Sequence, residues 1–204
     1  MAKQTKGASR NSSTRKPAPR PQPQQMQEDS QMMNSMMEKL FIDQLKDLYY
    51  VEKTQVKALG KMAKKATTEE LRDILVEHQE VSQEQLSRLD QIFEILGKRA
   101  QAKRCPAMDG LQEEAEEMMS ETEDDTLTRD VALIVTAQKV EHYEIASYGC
   151  LATLARTYGM QEVADLLQET LDEEKDADQQ LTYIAENNIN FEAGQEEGEE
   201  EEEE

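Results

Sequence analysis

Six residues carry the donor chemistry of a metal centre: Glu52, His78, Glu141, Glu144, Glu174 and Asp178. Five carboxylates and one imidazole form a hard, oxygen-rich set, which favours iron or manganese over zinc or copper. Glu141 and Glu144 are three residues apart, and Glu174 and Asp178 four apart, so each pair lies on one side of a helix. Two Fe or Mn ions bridged by such carboxylates would be neutralised by them and could act on O2 or H2O2, in ferroxidase-like or catalase-like chemistry. The set departs from the usual helical dimetal pattern, in which two helices each carry Glu-x-x-His. No Glu-x-x-His occurs here and the chain has two histidines, which leaves weak, single-ion or absent binding open.

These residues matter because of where they fall. At about 100° per residue each helix has an inner face that should be apolar. The first face reads Phe41, Leu45, Leu48, Glu52, Val56, Leu59, Ala63. The second reads Leu71, Leu75, His78, Ser82, Gln85, Leu89, Ile92, Leu96. The third reads Ile134, Ala137, Glu141, Glu144, Ile145, Tyr148, Ala152, Ala155, and the fourth Val163, Leu167, Thr170, Glu174, Asp178, Leu181, Ala185. Every stripe breaks near its middle, mainly with acids, and Asp178 lies off the stripe centre. In antiparallel packing the breaks fall in one layer. Unpaired carboxylates there cost several kcal/mol each, and no Lys or Arg sits at the centre of a stripe to offset them. A metal pair would. The rival reading is a non-enzymatic helical stress or interaction protein whose polar layer specifies helix register.

The elements that must position this layer are four long helices, expected at about 35–66, 68–97, 126–157 and 160–186. Ser35-x-x-Glu38 reads as the opening capping box, and Gly97, Gly159 and Asn187-Asn188 as stops. Two connections are short and one is long, with a short fifth helix expected over Leu111 to Glu121. That is the connectivity of an all-α, ferritin-like antiparallel four-helix bundle with one crossover. The bundle is expected over residues 35–193. Residues 1–34 read as a disordered arm rich in Pro, Gln and Met: its first 25 residues hold six Lys/Arg, four of the five prolines and no acid. Residues 194–204 read as a disordered acidic tail.

Composition sets the outer bounds. The chain has 204 residues, 44 Asp+Glu against 23 Lys+Arg, a net charge of −21, three Phe and no Trp. This favours a soluble helical protein over a β-sandwich. Over residues 26–194 the charge stays strongly negative, with 17 basic against 36 acidic residues. Such a field repels nucleic acid and anionic lipid, leaving at most a weak nucleic-acid contact by the basic arm, and it attracts cations. No apolar run is long enough to span a membrane, no secretory signal is visible, and two widely spaced cysteines fit a reducing cytoplasm. Cys105 and Cys150 lack a visible activating base. His142 points about 100° from its stripe centre and reads as supporting or interfacial. Tyr148 points inward, one turn from Glu144. Glu77, Glu80, Glu84 and Glu173 read as solvated faces.

Four segments, LFIDQLKDLYYVEK (40–53), KRCPAMDGL (103–111), AQKVEHYEIASYGCLATLA (137–155) and LLQETLDEEKDADQQL (166–181), resemble the YciE/YciF-type ferritin-like stress proteins of bacteria. The resemblance runs from about Leu40 to Ala193. It implies a four-helix bundle with a helix in its crossover, a cytoplasmic antiparallel homodimer, a dimetal site and an association with stress responses. The basic arm, the methionines Met26, Met32, Met33, Met36 and Met37, and the poly-Glu tail fall outside it.

Overall fold

The structure is a computed structural model that describes residues 33–202, with side chains through Glu196. Helices α1 (Ser35–Met62), α2 (Glu69–Ile95), α3 (Pro106–Glu121), α4 (Leu127–Thr157) and α5 (Gln161–Ile184) follow in order. A π turn, Ala185–Ile189, then leads into α6 (Asn190–Glu202). No strand occurs among the described residues. Residues 1–32 of the arm, with Met26 and Met32, lie outside them.

Local chemistry explains the boundaries. Asn34, not Ser35, caps α1: its side chain accepts from the backbone N–H groups of Met36 and Met37. Thr68 and Thr126 cap α2 and α4 in the same way. Gly97 and Gly159 take φ values of +63° and +73°, the left-handed conformation that ends α2 and α4. Pro106 opens α3, where its missing N–H costs nothing. The crossover helix is longer than the expected Leu111 to Glu121, reaching back to Pro106. The expected stop at Asn187-Asn188 is also corrected. Both asparagines are absorbed into the π turn, and the backbone stays helical into the acidic segment as far as Glu202. From α6, Glu196 reaches back and accepts from the free N–H of Leu127 at the start of α4, at 2.8 Å.

Cross-helix contacts give the topology. Tyr49 meets Phe93, and Gln79 donates to the Val56 carbonyl, so α1 and α2 run antiparallel. Gln138 reaches Thr182 while Arg156 reaches Gln168, so α4 and α5 do too. Tyr148 donates to Glu52 and Gln55 to Glu141, which sets α4 antiparallel to α1. Gln85 bonds Glu174 and Arg88 bonds Thr170, which sets α5 antiparallel to α2. Four antiparallel neighbours require α2 and α4 to point the same way, so the chain between them must cross the length of the bundle. The 16-residue α3 covers roughly 24 Å of that path. Tyr50 holds it by donating to Asp109 at 2.6 Å, and Cys105 and Met108 pack on Val51 and Val140. This is the ferritin-like connectivity.

Besides the small cluster under α3, the buried apolar residues form two larger clusters. One holds Phe41, Leu45, Leu48, Leu89, Ile92, Leu151 and Leu167. The other holds Leu59, Leu71, Leu75, Leu133, Ile134, Leu181 and Ile184. Between them lies a polar layer. At one end of the bundle, fully buried Asp130 accepts from the Thr67 N–H (2.7 Å), the Thr68 N–H (2.8 Å) and the Thr68 hydroxyl (2.7 Å), tying the α1–α2 turn to α4.

Candidate metal centre

Each long helix delivers a chemical group to the layer from its inward face: Glu52 and Gln55 from α1, His78, Ser82 and Gln85 from α2, Glu141, Glu144 and Tyr148 from α4, and Thr170 and Glu174 from α5. All are buried, with His78 the most accessible at 6%. Ligand atoms of His78, Glu141 and Glu174 lie within 4.8 Å of one another, and so do those of Glu52, Glu144 and Glu174. Glu174 belongs to both groups.

Of the six expected ligands, five therefore converge. Asp178 does not join either group. It lies one turn along α5, half-buried, where its Oδ1 accepts from Gln138 Nε2 at 3.1 Å and lies 3.3 Å from Nδ1 of His142. His142 itself is exposed and contacts the Gln138 carbonyl at 2.9 Å. Gln138, Asp178 and His142 thus form a small polar chain beside the layer.

Hydrogen bonds satisfy only part of the layer. Tyr148 donates to Glu52 Oε1 at 2.5 Å, Gln85 to Glu174 Oε1 at 2.5 Å, and Gln55 to Glu141 Oε1 at 3.4 Å. His78 Nδ1 lies 3.4 Å from Glu141 Oε1, and His78 Nε2 lies 3.6 Å from Glu174 Oε2. Glu52 Oε2, Glu141 Oε2, Glu174 Oε2, both oxygens of Glu144 and His78 Nε2 have no hydrogen-bond partner. Buried polar atoms are nearly always paired, so this many orphans in one layer fit a set of metal donors. The residues present therefore suit a metal cation.

The electrostatics agree. Burial, reinforced by Glu174, pushes the carboxyl groups of Glu52, Glu141 and Glu144 well above the usual carboxylate range. Burial pushes Glu174 the same way, but His78, Glu141 and Gln85 outweigh it and hold Glu174 below its ordinary value. Burial, then the Glu52 charge, drives the Tyr148 hydroxyl well up, so it stays protonated as a donor. Three carboxyl groups of the layer are thus shifted up and one is shifted down.

Arg88 is the neighbour of the layer missing from the stripe reading. It is buried at the edge of the layer. Its guanidinium donates to Thr170 (2.7 Å), both oxygens of Glu173 (2.8 Å each) and Glu169 (3.1 Å). Glu173, expected on a solvated face, is instead held in this pair and also accepts from Gln85 at 3.2 Å. Arg88 follows Gln85 by three residues, and that spacing from a stripe position was its only sequence signal. Elsewhere, the Cys105 thiol is buried 3.1 Å from the Tyr143 hydroxyl, and Cys150 is exposed.

Comparison with known proteins places this arrangement in context. The profile of the family described as "Domain of unknown function (DUF892)" matches residues 36–194. Protein YciF of Escherichia coli K12 is 46% identical over 158 residues, which is 77% of this chain and 95% of that protein. The crystal structure of the E. coli stress protein YciF superposes with a TM-score of 0.72, covering 78% of this chain and 99% of that one. YcfI from Rhodopseudomonas palustris, 42% identical, has a TM-score of 0.69 over 71% of this chain and 92% of its own. At 22% identity and a TM-score of 0.61, XCC3681 from Xanthomonas campestris shares the fold, over 78% of this chain and 97% of its own.

Proposed function

The chain belongs to the DUF892 family, and we propose that it is a ferritin-like dimetal carboxylate protein that takes part in a bacterial stress response. One observation carries the reading: five buried ligand-type side chains from four helices meet in one layer, and most of their carboxylate oxygens lack a partner. The stress association comes from the likeness to YciF, which is described as a stress protein. The proposal extends to a cytoplasmic homodimer. No helix among the described residues is long and apolar enough to cross a membrane.

In this reading His78 and Glu141 would hold one ion, Glu52 and Glu144 would hold the other, and Glu174 would serve both. Iron or manganese there would supply one-electron chemistry toward O2 or H2O2. The chain's own contribution is positioning. Tyr148 fixes one oxygen of Glu52 and leaves the other free, Gln85 does the same for Glu174, and Gln55 for Glu141. Arg88 anchors α2 to α5 beside the layer, which keeps the His78–Glu174 spacing. The apolar clusters on either side exclude water and raise the strength of every charge interaction between them.

The same three hydrogen bonds favour a second reading, a polar layer that sets helix register without metal. Elemental analysis decides. After expression with added Fe or Mn, the first reading expects about two ions per subunit, and the second expects none.

A further inference from the structure

We infer that the cleft between α2 and α5 is the access route by which a hydrated divalent cation reaches the carboxylate layer, with Glu77 and Asp176 at its mouth and His78 at its floor. The inference rests on the metal-binding reading above. The cleft has a volume of about 180 Å³. At roughly 30 Å³ per liquid water, that holds several waters, enough to admit an ion with most of its hydration shell.

Its walls are graded. Glu77 and Asp176 are exposed, Val81, Ala177 and Glu173 half-buried, and His78 buried at 6%. Glu77, His78 and Val81 share one side of α2, and Glu173, Asp176 and Ala177 one side of α5. At the floor, His78 Nε2 has no hydrogen-bond partner and lies 3.6 Å from Glu174 Oε2, which also lacks one. One side chain thus separates the cleft from the shared carboxylate. Arg88, the nearby cation, is neutralised by Glu173 and Glu169 and does not oppose an incoming positive charge. A second groove of about 240 Å³ lies between α1 and α3, but there Lys57 and Lys61 outnumber Glu116 and none of the five ligand candidates lines it. Charge therefore directs a cation to the α2–α5 side.

The test is the rate of Mn²⁺ uptake by the full chain, followed by stopped flow with a metal-sensitive dye. Glu77→Gln with Asp176→Asn should slow loading about tenfold at low ionic strength, the lower end of electrostatic steering, and the difference should vanish in about 1 M salt. Ala177→Leu should slow loading at every ionic strength and leave the final stoichiometry unchanged. Ala58→Leu, in the other groove, should load at the wild-type rate. Wild-type rates for both cleft variants, in a protein that does load, would overturn the route while leaving the metal site standing. A wild type that takes up no Mn²⁺ would overturn the metal-binding reading and the route with it.

Discussion

His78 Nε2 and Glu174 Oε2 face each other 3.6 Å apart across the α2–α5 interface, and neither atom has a hydrogen-bond partner. Two buried polar atoms, each able to bind the same cation and neither otherwise satisfied, are costly in a core of apolar helices. They are explained if something removed from the polypeptide itself completes them.

Replacing one of the acids should therefore affect the metal-free and metal-loaded proteins in opposite directions. Neither oxygen of Glu144 accepts a hydrogen bond, so Glu144→Leu removes a buried acid without orphaning a donor. The apo form should gain about 1–4 kcal/mol, while the rise in melting midpoint on adding Fe²⁺ or Mn²⁺ disappears. Glu52→Leu should gain less, because it strands the Tyr148 hydroxyl at a cost of about 1–3 kcal/mol. Thermal melts of the three proteins, with chelator and with metal, compare them. A register-setting layer would instead show no metal dependence in any of the three, and a loss of stability in Glu52→Leu, whose Tyr148 bond is part of it.

The pH dependence follows from the sign of the shifts. Glu52, Glu141 and Glu144 have folded pKa values above their unfolded ones. Their stabilising contribution is complete below the unfolded value, about 4.5, and is lost as pH rises through the folded values. Glu174, shifted down, contributes above its unfolded value and loses that as pH falls through the folded one. Three groups outweigh one, so the apo protein should melt lower at about pH 8 than at about pH 5.5. Self-repulsion of the −21 chain acts the same way, so the diagnostic is the slope: Glu144→Gln should flatten it. With metal bound the trend should reverse, since ligation requires the ionised carboxylates.

Arg88→Met tests the clamp beside the layer. The change strands the Thr170 hydroxyl and removes the bidentate partner of Glu173. Glu173 is partly exposed and regains some hydration, so the loss should be about 2 kcal/mol rather than the 3–5 kcal/mol of a fully buried broken pair. Urea unfolding measures it, and a change under about 0.5 kcal/mol would reduce the clamp to a surface ion pair.

Asp130→Ala removes the acceptor for three donors in the α1–α2 turn, two of them backbone N–H groups. A loss of about 3 kcal/mol is expected. Metal stoichiometry should not change, because Asp130 lies at the end of the bundle, away from the layer. Denaturant midpoints and elemental analysis together check both halves.

Much of this layer was legible because acids at Glu52, Glu141, Glu144 and Glu174, and His78 opposite them, stand where a helix stripe demands a hydrophobe. Stripe arithmetic places a Cα on a face, but it does not say where a long side chain ends. Arg88 was invisible for that reason: it starts beside the stripe and reaches inward along the α2–α5 seam. Its partner Glu173 was misplaced in solvent by the same limit. Asp178, about 40° off Glu174 in projection, is drawn to Gln138 and His142 rather than to the layer. Asn187-Asn188 looked like a helix stop, but the chain widens into a π turn there and Glu196 then finds the open N-terminus of α4. That contact is 69 residues away in sequence, beyond any local signal.

The most direct measurement is anomalous diffraction at the iron and manganese edges from crystals grown with each metal. The account predicts two peaks in the layer, one between His78 and Glu141 and one between Glu52 and Glu144, with Glu174 touching both. A metal-soaked crystal with no peak there, and its carboxyl groups bonded to one another, would contradict it.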